Sequence, residues 1–211
     1  FTSATNLSIT YLVLMGNDFC DVKLAKNSLW DSFQLALGGK LKRIDVVVNH
    51  RGEGAHCELN GIYLPNNSQH VDFHTCIEHE VPHCTTNEVF RGIIGDSARA
   101  VFNGRIHIHK DAQKTLAQLS NKNLLTSKKA EIDTKPELEI YADDVKCSHG
   151  ATVGQLDESA LFYLQSRGIS CRDARLLLMA AFGSEILKSV KVEPLRERLN
   201  ELIENAYFLC P

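Results

Sequence analysis

No apolar run in these 211 residues approaches the roughly 20 that a helix needs to cross a bilayer, and no leader with a basic start and an apolar middle opens the chain. A basic stripe is also missing: 23 Lys and Arg stand against 26 Asp and Glu, for a formal net charge of -3, which gives no reason to expect nucleic acid. No glycine-rich sequence ends in Gly-Lys-Ser/Thr and no Gly-x-Gly-x-x-Gly follows a strand, so no recognisable loop holds ATP or a dinucleotide. No serine sits in a nucleophile elbow and no carboxylate pair is spaced for acid/base work, which leaves an independent hydrolase poorly supported. Cysteines are present but unpaired in pattern. The seven, at Cys20, Cys57, Cys76, Cys84, Cys147, Cys171 and Cys210, are odd in number and scattered in a chain with 44% hydrophobic residues, large enough to bury a core without staples. A soluble protein of a reducing, cytoplasmic compartment is expected.

What the sequence does contain, from Asn6 to about Gly154, is short strands. Leu7, Ile9, Tyr11 and Val13 alternate, as do Phe33, Leu35 and Leu37 before Gly38-Gly39; 44–48, 56–63, 71–79, 89–94, 106–108 and 138–141 continue the series. Turn signals are read at Arg51-Gly-Glu-Gly54, Asn60-Gly61, Pro65-Asn-Asn-Ser68 and Asn103-Gly104. The stretch 112–125 has mixed periodicity and is assigned as irregular. Without hydrophobic helices between the strands, a doubly wound α/β sheet is excluded, because its parallel strands need crossover helices. A sandwich, a barrel or a solenoid remains, and periodicity alone does not choose among them.

Residues 138–157 join this region to a different one. Leu138, Ile140 and Ala142 share one face of an extended segment; after an Asp143-Asp144 turn, Val145, Cys147 and His149 share a face of the next, and Gly150 and Gly154 are read as further tight corners. A thiol and an imidazole project together. Two readings of the pair stand: a small core cysteine beside a surface histidine, or two ligands for a soft or borderline metal.

Beyond Leu156 the apolar period becomes helical. Asp157 or Ser159 caps a helix carrying Leu161, Phe162 and Leu164, with Gly168 as its stop. Ser170 with Asp173 opens a second, through Phe182, and Pro194 lies in the first turn of a third, whose Leu195, Leu199, Leu202, Ile203 and Ala206 form one stripe. Leu176, Leu177, Leu178, Met179 and Phe182 exceed what one core face requires. The helix is either buried between neighbours or presents a patch to a partner.

His70, His74, Cys76, His79, His83 and Cys84 crowd one stretch, but His79 has the opposite strand parity to His74, Cys76 and Glu78, so they do not converge locally as zinc ligands. They are read as outward polar ladders, with Cys76 or Cys84 filling a small core position. His107 and His109 are assigned to a solvent face. His50, His56 and Cys57 fit surface or turn roles; Cys20, Cys171 and Cys210 are structural.

An ordered set of blocks carries a resemblance: Val101-Phe-Asn-Gly-Arg-Ile106, Ala112-Gln-Lys-Thr115, Asn123-Leu-Leu125, Lys135-Pro-Glu-Leu-Glu-Ile140, the 138–157 segment and Phe162-Tyr-Leu-Gln-Ser-Arg-Gly168. From about Arg91 to Gly168 the chain resembles the SufB/SufD family of iron-sulfur cluster assembly scaffolds, and most of all its SufD branch. The resemblance implies an all-β core, a right-handed parallel β-helix, over residues 1–155 and a small α-helical ATPase-docking domain over 156–211. It also implies that this is the carboxy-terminal part of a longer protein, in line with Phe1 in place of an initiator methionine. Implied partners are a SufB-like subunit and a SufC-like ABC ATPase docked through Leu176, Leu177, Met179 and Phe182, with a homodimer when the chain is isolated. Implied cofactors are a nascent Fe-S cluster at the SufB interface, with His149 first and Cys147 second as ligands, ATP on SufC, and reduced flavin in the complex, with nothing resident in this chain. The competing expectations are a stand-alone β-helical, zinc-dependent enzyme and a plain adaptor.

Overall fold

The computed structural model describes residues 3–4, 7–8, 11–13 and 18–208, with side chains from 18 to 206. Among them run β1 (Ser3–Ala4), β2 (Leu7–Ser8), β3 (Tyr11–Val13), β4 (Asp18–Leu24), β5 (Leu29–Ala36), β6 (Leu41–His50), β7 (His56–Tyr63), β8 (His70–His79), β9 (Thr85–Ile94), β10 (Arg99–Ile108), β11 (Leu116–Leu125), β12 (Glu131–Ile140) and β13 (Lys146–Gln155). Then come α1 (Glu158–Ser166), α2 (Cys171–Leu187) and α3 (Glu193–Phe208). Of the early alternation, Ile9 lies outside the described residues, as does Cys210. No described helix is long and apolar enough to cross a membrane.

The strands alternate between two all-parallel sheets, one ordered β1-β4-β6-β8-β10-β12 and the other β13-β11-β9-β7-β5-β2, with β3 also beside β5. Of the three architectures left open, the chain adopts the solenoid, with about 5 turns. Each coil is covered only by its neighbours. Side chains stack 29 residues apart in the middle coils, as in Arg43 on Asp72, His56 on Thr85 and Glu78 on His107.

Left-handed residues mark the corners. Asn27, Gly54, His83 and Lys114 form one column and Gly39, Asn67 and Asp96 another, all at positive φ. In the first column, backbone amides bond to the next coil at Asn27, His83 and Lys114, with Asn27 N–H to Glu53 O at 2.9 Å and His83 N–H to Gln113 O at 2.9 Å. Asn and Asp tolerate this conformation better than most side chains, which explains much of the non-glycine set.

Two dipeptides read as turns are strand interiors. Asn60-Gly61 lies within β7 and Asn103-Gly104 within β10. The glycines make room: a Cβ on Gly61 would stand 2.3 Å from the Phe90 ring, and one on Gly104 2.6 Å from Leu119. Likewise 116–125, assigned as irregular, is a full strand paired on both sides. Its inward row holds Asn121 and Asn123 where aliphatics were looked for. Tyr63 Oη donates to Asn123 Oδ1 at 2.5 Å and Asn121 Nδ2 donates to Tyr63 Oη at 3.0 Å, so the buried amides are satisfied. Gly150 and Gly154 are no corners either; both lie in β13 with open space about them.

The helical tail packs on the outer face of the second sheet. Phe33, Leu35, Ile62, Leu64, Ile93 and Leu124 share a core with Met179, Ile186, Leu187, Val190, Leu199 and Ile203. Asp157 caps α1, accepting from Ser159 N–H at 2.8 Å, and Gly168 at φ +86° ends it, with Ile169 N–H reaching Leu164 O. Ser170 caps α2 by accepting from Asp173 N–H at 3.1 Å.

Phe90 packs between Phe73 and Phe102, with ring centroids 5.0 Å apart on each side, so it has nowhere to retreat from a methyl group on Gly61. Gly61→Ala is therefore expected to destabilise the fold by about 1–3 kcal/mol in denaturant unfolding; an unchanged midpoint would refute the close approach.

Glu88 is fully buried with Thr75 Oγ1 donating at 2.6 Å, and burial pushes its carboxyl up to about 7. The folded value lies above the ordinary 4.5, so the contribution to stability is fully present below that pH and lost as pH rises through about 7. Burial holds His79 down to about 4, so its contribution runs the other way, present above 6.5 and lost as pH falls through 4. The difference between wild type and Glu88→Gln isolates the acid: the variant is expected to gain on the wild type between pH 4.5 and 8, by on the order of 3 kcal/mol at the upper end. Parallel stability curves across that range would count against it.

Candidate functional site

β13 is the last strand of its sheet, paired with β11 on one side only, and β12 likewise ends the other sheet. Inward positions continue across the ladder: Cys147 is in register with Ala117, His149 with Leu119, Ala151 with Asn121 and Val153 with Asn123. In β11 these inward residues are buried; in β13, where no further coil covers them, His149, Ala151 and Val153 are exposed, Val153 by 49%. Cys147 is half-buried against the core, and burial raises its thiol above the ordinary cysteine value. The strand thus brings Cys147 and His149 onto one face at the open end, where an imidazole and a thiol are reachable. Ser148 faces the other way.

The apolar residues of α2 divide. Met179 is 3% exposed and Leu176 and Phe182 are half-buried, all three within the core shared with the solenoid. Leu177 is 51% exposed, and Phe162 and Tyr163 of α1 are exposed as well. Of the four candidate docking residues, Leu177 is the one presented to solvent, and Met179 holds the helix to the sheet. Arg91, buried beneath α2, reaches Glu185 at 3.3 Å with its guanidinium over the Phe182 ring.

The histidine-rich stretch also divides by parity. His74 pairs outward with Asp72 at 2.9 Å, and Cys76 lies outward, 3.5 Å from Glu78. Glu78 accepts from His107 at 2.6 Å and His109 at 3.0 Å, an outward cluster bridging two coils. Cys84, by contrast, is buried, so it rather than Cys76 fills the core position. Three assignments need correction: His50 and Cys57 are each 0% exposed and are neither surface nor turn residues, and His79, read with the outward ladders, is also 0% exposed and faces the core. All three sit at inward strand positions, which the short local pattern around them does not reveal. Local reading also missed that His50 and His79 are in-register neighbours in one inward row; the 29-residue coil step was the signal that would have joined them.

Comparison with known proteins agrees with this geometry. Residues 17–182 match the family described as SUF system FeS cluster assembly, SufBD core domain. The chain is 41% identical over 179 residues to the iron-sulfur cluster assembly protein SufD of Escherichia coli (strain K12), covering 85% of this chain and 42% of that protein. It is 40% identical over 178 residues to an iron-sulfur cluster assembly SufBD family protein of Synechocystis, covering 84% and 39%. It is 35% identical over 178 residues to the chloroplastic protein ABCI7 of Arabidopsis thaliana, covering 84% and 38%. The chain spans about two fifths of the length of these relatives. A parallel solenoid with a helical tail, matched over most of its length, therefore belongs to the SufBD family of iron-sulfur cluster assembly proteins and is SufD-like in sequence.

Proposed function

We propose that this chain is a SufD-like scaffold subunit, without catalytic residues of its own, that joins a SufB-like partner at the open end of the solenoid and a SufC-like ATPase at its helical tail. The observation that carries the reading is the exposed inward row of β13 on an unpaired edge. A free strand edge pairs readily with another chain, and a paired edge lets two subunits contribute ligands to one site. Open space above Gly150 and Gly154 leaves room for close backbone approach beside that row.

In this reading His149 is a transient ligand for iron of the nascent cluster and Cys147 a second donor. Neutral imidazole binds iron and takes up a proton near neutral pH, and thiolate suits iron and sulfide. The cluster is cargo rather than a resident group. ATP acts on the ATPase partner, whose cycle moves this chain as a lever, and reduced flavin belongs to the complex. A cytoplasmic setting is part of the proposal, in keeping with seven cysteines scattered without paired spacing. The same edge is the surface through which isolated copies would form a homodimer.

Replacing His149 by Ala is expected to leave the SufB-like and SufC-like partners bound and ATP hydrolysis measurable, while iron and acid-labile sulfide in the purified complex fall at least several-fold. Normal cluster content would return His149 to the surface histidines. At the tail, Leu177→Asp places a charge in the proposed interface, where losing hydration without a partner is costly. Loss of ATPase co-purification with an unchanged far-ultraviolet spectrum is expected; an ATPase retained at wild-type level defeats the docking assignment.

A further inference from the structure

His50 and His79 stand side by side in the inward row Leu24–His50–His79–Ile108, between aliphatic neighbours. Both are 0% exposed, and their rings stack with centroids 4.2 Å apart and planes 10° from parallel. Cys84, also 0% exposed, enters from the corner that follows β8. A ring nitrogen of each histidine and the Cys84 sulfur all lie within 4.8 Å of one another. From the opposite sheet the Thr86 hydroxyl stands 3.0 Å from Nε2 of both rings.

This arrangement is costly without a ligand. Both Nδ1 atoms are buried with no hydrogen-bond partner, and each orphaned polar atom costs on the order of 1–3 kcal/mol. Burial holds both imidazoles below the ordinary histidine range, so they stay neutral and keep a lone pair for coordination. Thr86 fixes one nitrogen of each ring, as outer groups do around metal-bound histidines, and leaves the other with spare capacity. We propose that His50, His79 and Cys84 form a buried metal site for a divalent transition ion of zinc's class, tying two adjacent coils and the corner that follows β8. Two imidazoles and a thiolate are donors that zinc prefers. Binding expels the Cys84 thiol proton to solvent, and the sulfur, now anionic, offsets one of the ion's two charges. Closed off from substrate, the site is structural, and it stands apart from the open end where cluster chemistry is proposed.

Because these side chains are fully buried, the ion is supplied during expression. Protein produced with zinc and then desalted against a weak chelator is expected to hold about one zinc per chain, falling at least fivefold in Cys84→Ser and in His79→Asn. Protein produced with cobalt(II) is expected to show a thiolate-to-cobalt charge-transfer band and strong visible bands of tetrahedral type, with no variant required. Cys84→Ser conserves volume, and its circular dichroism checks the fold. Metal-free wild type, a cobalt spectrum without thiolate charge transfer, or zinc retained in folded Cys84→Ser would each overturn the site.

Discussion

In a parallel solenoid a strand finds backbone partners only in the coils before and after it, and everything else in this chain depends on that. Within the stack the rule is satisfied twice over, because each middle strand is bonded on both edges and each inward side chain is covered above and below. At the last coil it is satisfied once. β12 and β13 keep one free edge each, and the helical tail packs across the outer face of the second sheet rather than over the end. Stacking therefore covers the middle of the solenoid and leaves its end open in one stroke.

The same stacking admits polar groups into the core if they come with partners. Tyr63, Asn121, Asn123 and Thr134 form one connected network, with Thr134 Oγ1 donating to Asn121 Oδ1 at 2.9 Å. Lys42 is buried yet donates to Leu37 O at 2.7 Å, and burial lowers its ammonium to about 8. Networks of this kind fix register, since sliding one coil by a single residue would turn every inward partner outward. At His50, His79 and Glu88 the partners are incomplete, each leaving one buried polar atom unpaired.

Much of this was legible in the sequence. Alternation gave strand segments at 33–37, 44–48, 56–63, 71–79, 89–94, 106–108 and 138–141, the change of period after Leu156 gave the helices, and Asp157, Gly168, Ser170 and Pro194 gave their ends, because these signals act over a few residues. Strand 116–125 was missed since Asn121 and Asn123 break the apolar alternation and find their partners elsewhere in the chain, chiefly in Tyr63, some 60 residues earlier, and in Thr134. Asn60-Gly61 and Asn103-Gly104 read as turns for the mirror-image reason: what the glycines accommodate is a ring or a methyl from elsewhere in the chain. The pairing of Cys147 with His149 was legible locally, but their exposure was not, because burial in a solenoid is decided by the next coil.

That dependence is visible along one inward row. Ser32, Leu59, Glu88, Leu119 and His149 occupy successive coils in register. Glu88, covered on both sides, has its proton held to about pH 7 by burial alone. Two coils later the same position belongs to His149, covered by Leu119 on one side and open on the other. Position within the stack, more than residue type, thus separates a side chain locked in the core from one left exposed. A chain that places its imidazole at the single uncovered rung of such a row keeps the group accessible without opening the fold, and a second chain laid on that rung would bury it as Leu119 is buried now.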